Sequence, residues 1–156
     1  MKDPQTVLAE LEIIRAETLQ RLDKLSQDEL DWLPPRTEDG PAWSLGEVFM
    51  HLAIDEFYLR ELIARPLIQG IKPPDGIRFL PPPPPYGMPK DVIQFWFERA
   101  RLQTRHLVDN WPADANLDVT HEGGLRAMNG LQWLRSYGGH EAFHQQQIDR
   151  LIAQLD

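Results

Sequence analysis

The sequence predicts an all-α fold, a four-helix bundle built by a single domain over residues 1–156. Three observations carry this. Four segments repeat apolar residues at the three- and four-residue steps of a helix face, no convincing strand pattern interrupts them, and 156 residues suit one domain with its own core. With 42% apolar and 26% charged residues the composition is that of an ordinary globular chain.

The first helix is expected from about Pro4 to Leu25, where Leu8, Leu11, Ile14, Thr18, Leu22 and Leu25 recur at helical spacing and Pro4 suits a first turn. Its polar faces show no constellation that reads as chemistry. Residues 26–42 form a connection rich in proline and glycine, with a short helical turn around Gln27 to Leu30 and Trp32 as a core anchor.

The second helix opens with Ser44 as N-cap and Glu47 three residues on, a capping box, with Trp43 packing back as its staple. Val48, His51, Asp55, Tyr58, Leu59 and Leu62 share neighbouring positions on one face. The helix should end near Arg65-Pro66 or slightly beyond, because proline removes a backbone donor and crowds the preceding turn. A long connection follows, and its run Pro81 to Pro85 reads as an extended polyproline spacer rather than a domain boundary.

The third helix is expected from Pro89 to about Trp111-Pro112, burying Val92, Ile93, Trp96, Phe97, Ala100 and Leu107. Arg99, Arg101 and Arg105 read as solvated; His106, near the edge of the seam, reads as solvated or as lining a pocket. Phe95, Trp96 and Phe97 belong to the core or to a dimer surface. The loop from Pro112 to Met128 contains His121, which either approaches the mouth of a site or stays exposed.

The fourth helix begins at Asn129, capped reciprocally with Gln132. Trp133, Tyr137, His140, His144, Ile148, Leu151 and Leu155 form its inward seam, and Glu141, Gln145, Gln146, Asp149 and Gln154 are placed on the opposite face. Gly138-Gly139 marks a kink, a close approach of another group, or the true start of the helix, since each glycine costs a helix about 1 kcal/mol relative to alanine.

His140 and His144 are four residues apart and can present both imidazoles to one point, the geometry of a bidentate metal clip. The bland alternative is a buried pair satisfied by a carbonyl or a tyrosine hydroxyl. In a bundle His51 can join them, and three imidazoles with one or two open positions have the form of a catalytic metal site. Glu47 and Asp55, one turn either side of His51, are the candidate general bases or imidazole-orienting carboxylates; Glu141 is expected to point away.

The net charge of -8 argues against nucleic acid as a partner. With no cysteine, a transition metal has to be held by histidine and carboxylate, and any thiol has to arrive from outside. No apolar leader and no run of 18 apolar residues is present, so a cytoplasmic protein without a membrane partner is expected.

Two segments carry a family resemblance. Residues 43–52, Trp-Ser-Leu-Gly-Glu-Val-Phe-Met-His-Leu, resemble the W-[ST]-x-x-E-V-x-x-H-L segment of the DinB-like superfamily, and residues 140–148, His-Glu-Ala-Phe-His-Gln-Gln-Gln-Ile, resemble its H-[DE]-x-x-H-x-x-Q-I segment. The resemblance implies the DinB/YfiT-like four-helix bundle, often a homodimer, with His51, His140 and His144 as ligands of a divalent metal such as nickel or zinc. It further implies a metal-dependent enzyme: either a transferase using a low-molecular-weight thiol, or a hydrolase acting on a small-molecule substrate through activated water. A non-catalytic metal- or small-molecule-binding bundle with a stress-response role is the alternative.

Overall fold

The computed structural model describes residues 3–36, 42–74, 81–123 and 125–155. The helices are α1 (Pro4–Asp23), α2 (Gln27–Asp31), α3 (Leu45–Leu59), α4 (Arg65–Ile68), α5 (Lys90–Asp109) and α6 (Gly130–Ile152). Among the described residues the extended structure is one isolated bridge, His121 to Met128. The long helices pack in a ring, α1 on α6, α6 on α3, α3 on α5 and α5 on α1. The all-α architecture read from the sequence is thereby borne out.

The starts follow local chemistry. The Ser44 side chain accepts from the Glu47 backbone N–H, while Glu47 Oε2 accepts from Ser44 N at 2.8 Å, closing the expected capping box. Asn129 and Gln132 do the same for α6. Ser26 and Glu29 form a third such box at α2. Between α3 and α4, Arg60–Ala64 widens into a π-helical turn closed by the Arg65 N–H on Arg60 O. Pro66 lies just beyond and has no N–H for Leu62, so a wide turn carries the chain past it without a break. The second helix therefore continues a little past Pro66, as expected.

α6 runs unbroken through Gly138-Gly139. A Cβ on Gly138 would lie 3.0 Å from Leu11 and Ile14 side-chain carbons, so this glycine lets α1 approach α6 closely. Of the readings open for that pair, close approach is the one observed, at Gly138 alone, since Gly139 faces open space.

The apolar core is in two parts. One cluster joins Val7, Leu11, Leu59, Ile63, Leu107, Leu134 and Tyr137; the other joins Leu22, Val48, Phe49, Leu52, Phe97, Ile148 and Leu151. Between them, along every long helix, lies a layer of buried charge. Arg15 donates to Glu141 Oε1 at 2.8 Å, to Glu56 Oε2 at 2.7 Å and to the Tyr137 hydroxyl at 3.0 Å. Arg101 donates to Glu56 Oε1 at 2.7 Å and to Leu11 O at 2.8 Å, and its Nη2 is 3.6 Å from Glu141 Oε2. Thr104 donates a further bond to Glu56, and Arg60 reaches Thr104 and Ala100 O.

This layer corrects four sequence expectations. Arg101 is buried, not solvated, and Glu141 and Gln145 face inwards. α1 is not chemically silent, because Arg15 is the hub of the layer. The charges are tolerated since each is paired, Arg15 and Arg101 with Glu56 and Glu141 and Arg60 with Glu61, the condition under which buried ions persist. Gln145 is satisfied by Ile14 O and Thr18 Oγ1. Trp96, expected on the buried face of its helix, is exposed instead, as is Leu62.

Burial pushes the Glu56 carboxyl up, but Arg15, Arg101 and Thr104 outweigh it and hold the group at about 2 instead of 4.5. A folded-state pKa below the unfolded one gives stability that is complete above the unfolded value and lost as pH falls through the folded one. The window is pH 4.5 down to 2, and the contribution is on the order of 3 kcal/mol. Urea unfolding over a pH series is predicted to show this loss, and Glu56→Gln, less stable at pH 7, should show a shallower slope there. An equal slope in parent and variant would contradict the assignment.

Candidate metal centre

α3 and α6 face each other at the level of the buried charge layer. On α3 the consecutive residues Asp55 and Glu56 divide between two directions, because neighbours on a helix are about 100° apart. Glu56 enters the ion layer, and Asp55 faces α6. On α6 the pair His140 and Glu141 divides in the same way.

The result brings His51, His140 and His144 together. Their ligand nitrogens all lie within 4.8 Å of one another. The ring centroids are 4.8 Å apart for His51 and His144, 5.4 Å for His51 and His140, and 4.5 Å for His140 and His144. His51 and His144 are buried, whereas 38% of the His140 side chain is exposed, so the cluster meets solvent at His140.

Asp55, itself fully buried, lies between two of the rings. Its Oδ2 is 2.9 Å from His51 Nε2 and also contacts His140 Nε2. Burial raises the Asp55 carboxyl, but the hydrogen bonds from His140 and His51 prevail and lower it. His144 is different. Burial brings its imidazole down to about 4, against the opposing effect of the hydrogen bond to Gln147. At neutral pH it is therefore an uncharged ring with a lone pair, the form a metal requires.

The residues fit a divalent ion. Two buried atoms here, His51 Nδ1 and Asp55 Oδ1, have no hydrogen-bond partner. Buried polar atoms normally find one, so two orphans beside three converging imidazoles fit a site for an ion. A donor set of imidazole nitrogens with an adjacent carboxylate suits zinc, nickel, copper or iron rather than calcium or magnesium.

One oxygen of Glu47 closes the capping box at the start of α3, one turn before His51. His106 is exposed near the C-terminus of α5, with Asn110 against its Nδ1. His121 is buried; its backbone bridges to Met128 and its carbonyl accepts from Trp133 Nε1 at 3.1 Å. Neither belongs to the cluster. Trp43, read as a staple, also tilts against His51 with centroids 4.8 Å apart, and Phe143 stands exposed beside His144. Phe143 follows His140 by three residues, a spacing that already sets it beside the site.

An all-α bundle whose facing helices project three histidines toward one point is of the class that builds metal sites between helices. The family model of the DinB superfamily matches residues 10–148, and the chain belongs to that superfamily. No curated protein matches the chain. No helix among the described residues is long and apolar enough to cross a membrane.

Adjacent residues on α6 should separate stability from site chemistry. Glu141→Gln leaves Arg15 short of a buried counter-charge and is predicted to cost roughly 3–5 kcal/mol in urea unfolding. His140→Ala removes a part-exposed ring and should cost under about 1 kcal/mol. A reversal of that order would mean the ion layer is not what holds the helices together here.

Proposed function

We propose that the protein is a divalent-metal-dependent enzyme in which His51, His140 and His144 hold the ion, nickel or zinc, and a small molecule reacts beside it. The supporting observation is the convergence of three imidazoles from two helices at a place that solvent reaches through His140. Three protein ligands with an accessible position are the catalytic pattern, whereas structural sites are closed. When bound, the ion supplies Lewis acidity that lowers the pKa of a water or a thiol into the neutral range.

The chain's own residues do the rest. Asp55 Oδ2 holds His51 and His140 in register, and Asp55 Oδ1, free of other bonds, is the proton acceptor of this reading. Glu47 contributes by fixing the first turn of α3 and with it the position of His51. Trp43 and Phe143 give the site apolar walls suited to a substrate with an apolar part.

Because the chain has no cysteine, the transferase version uses a low-molecular-weight thiol as cosubstrate. It places the protein in the cytoplasm, where such thiols are kept reduced. The hydrolase version uses water. A homodimer belongs to the same reading, with exposed Phe57, Phe95 and Trp96 on the outer side of α3 and α5 as the face for a second copy.

The test is an assay panel on the nickel- or zinc-loaded protein, pairing thiols with 1-chloro-2,4-dinitrobenzene and, separately, presenting activated esters. Turnover is expected in one arm, with His51→Ala and His144→Ala inactive and Asp55→Asn reduced by about 100-fold. Equal rates before and after chelation, or unchanged rates in the histidine variants, would refute the proposal. Metal binding with no turnover in either arm would favour the non-catalytic binding bundle.

A further inference from the structure

Gln147 follows His144 by three residues, a spacing that puts both side chains on one face of α6. Its Oε1 lies 2.7 Å from His144 Nδ1, and the side chain is half-buried. An amide oxygen is an acceptor only, so the contact calls for hydrogen on Nδ1. A neutral imidazole has one N–H and one lone pair; with the hydrogen on Nδ1, the lone pair is on Nε2.

This arrangement is specific to His144. His51 and His140 share the Asp55 carboxylate through their Nε2 atoms. His144 has no carboxylate contact of that kind and instead takes an acceptor from its own helix. Ligating histidines generally donate their other N–H to an oxygen, which fixes tautomer and ring orientation together. Gln147 supplies that oxygen here without adding a charge beside the ion.

We propose that Gln147 is a positioning residue of the metal centre: its side-chain oxygen holds the His144 imidazole in the Nδ1–H form and so reserves Nε2 for the ion. This rests on the metal reading above, and the experiment separates the two. Gln147→Met keeps the length and removes the acceptor, whereas Gln147→Glu keeps an acceptor.

The first readout needs no metal. Long-range proton–nitrogen spectra of the nitrogen-15-labelled, metal-free protein report the His144 tautomer, expected as Nδ1–H in the parent and in Gln147→Glu and lost in Gln147→Met. The second is zinc affinity in competition with a chelating dye, expected to fall about 10–100-fold in Gln147→Met and to stay within about threefold of the parent in Gln147→Glu. An Nε2–H tautomer in the parent, an unchanged affinity in Gln147→Met, or equal losses in both variants would overturn the proposal. A Gln147-dependent tautomer in a parent that takes no zinc would overturn the metal reading and the positioning role with it, leaving only the hydrogen bond.

Discussion

The guanidinium of Arg15 is the interaction on which the middle of this bundle depends. It bonds Glu56 of α3 and Glu141 of α6 at once, takes the Tyr137 hydroxyl, donates to Phe97 O at 3.1 Å, and stacks 4.4 Å from the Phe97 ring centroid. Four helices thus meet one planar cation. Tyr137 in turn donates to Leu52 O, tying α6 to the residue after His51. Since Glu56 follows Asp55 and Glu141 follows His140, fixing the two glutamates fixes the rotation of α3 and α6. That rotation is what turns His51 and Asp55 toward His140 and His144.

The division of labour also explains why a buried ionic layer stands where apolar packing would be simpler. Apolar clusters on either side tolerate small slips of one helix along another, because hydrophobic contact is not directional. Bidentate arginine–carboxylate bonds do not. A centre that needs three nitrogens from two helices placed within a few tenths of an ångström benefits from that kind of registry. The waist of the bundle supplies direction, and the two ends supply most of the burial.

Much of this was legible in the sequence. The helix starts were written in Ser44/Glu47 and Asn129/Gln132, and the three histidines lay on seams predicted to be inward. The ion layer was legible too, but in a pattern that hydrophobicity alone passes over. Leu8, Leu11, Arg15, Thr18, Leu22 and Leu25 step by three and four, so Arg15 occupies a seam position between Leu11 and Thr18. Glu56 sits likewise between Leu52 and Leu59. Hydrophobicity alone gives such charged positions no inward signal, and it likewise places polar Glu141 and Gln145 on the outer face. What no single helix could reveal is the pairing, because the counter-charge of each residue lies about 40 to 130 positions away. The exposure of Trp96 reflects the same limit: the face of α5 that packs is chosen by Arg101, Thr104 and Phe97 together.

The central claim is that His51 of α3 and the His140 and His144 pair of α6 hold one ion between them. Metal analysis of the purified, tag-free protein beside His51→Ala, both dialysed against a weak chelator, tests it most directly. The account predicts about one equivalent of metal in the parent and none in the variant, with both folded. A parent that takes up no nickel, zinc or manganese on reconstitution, or a variant that retains a full equivalent, would contradict it.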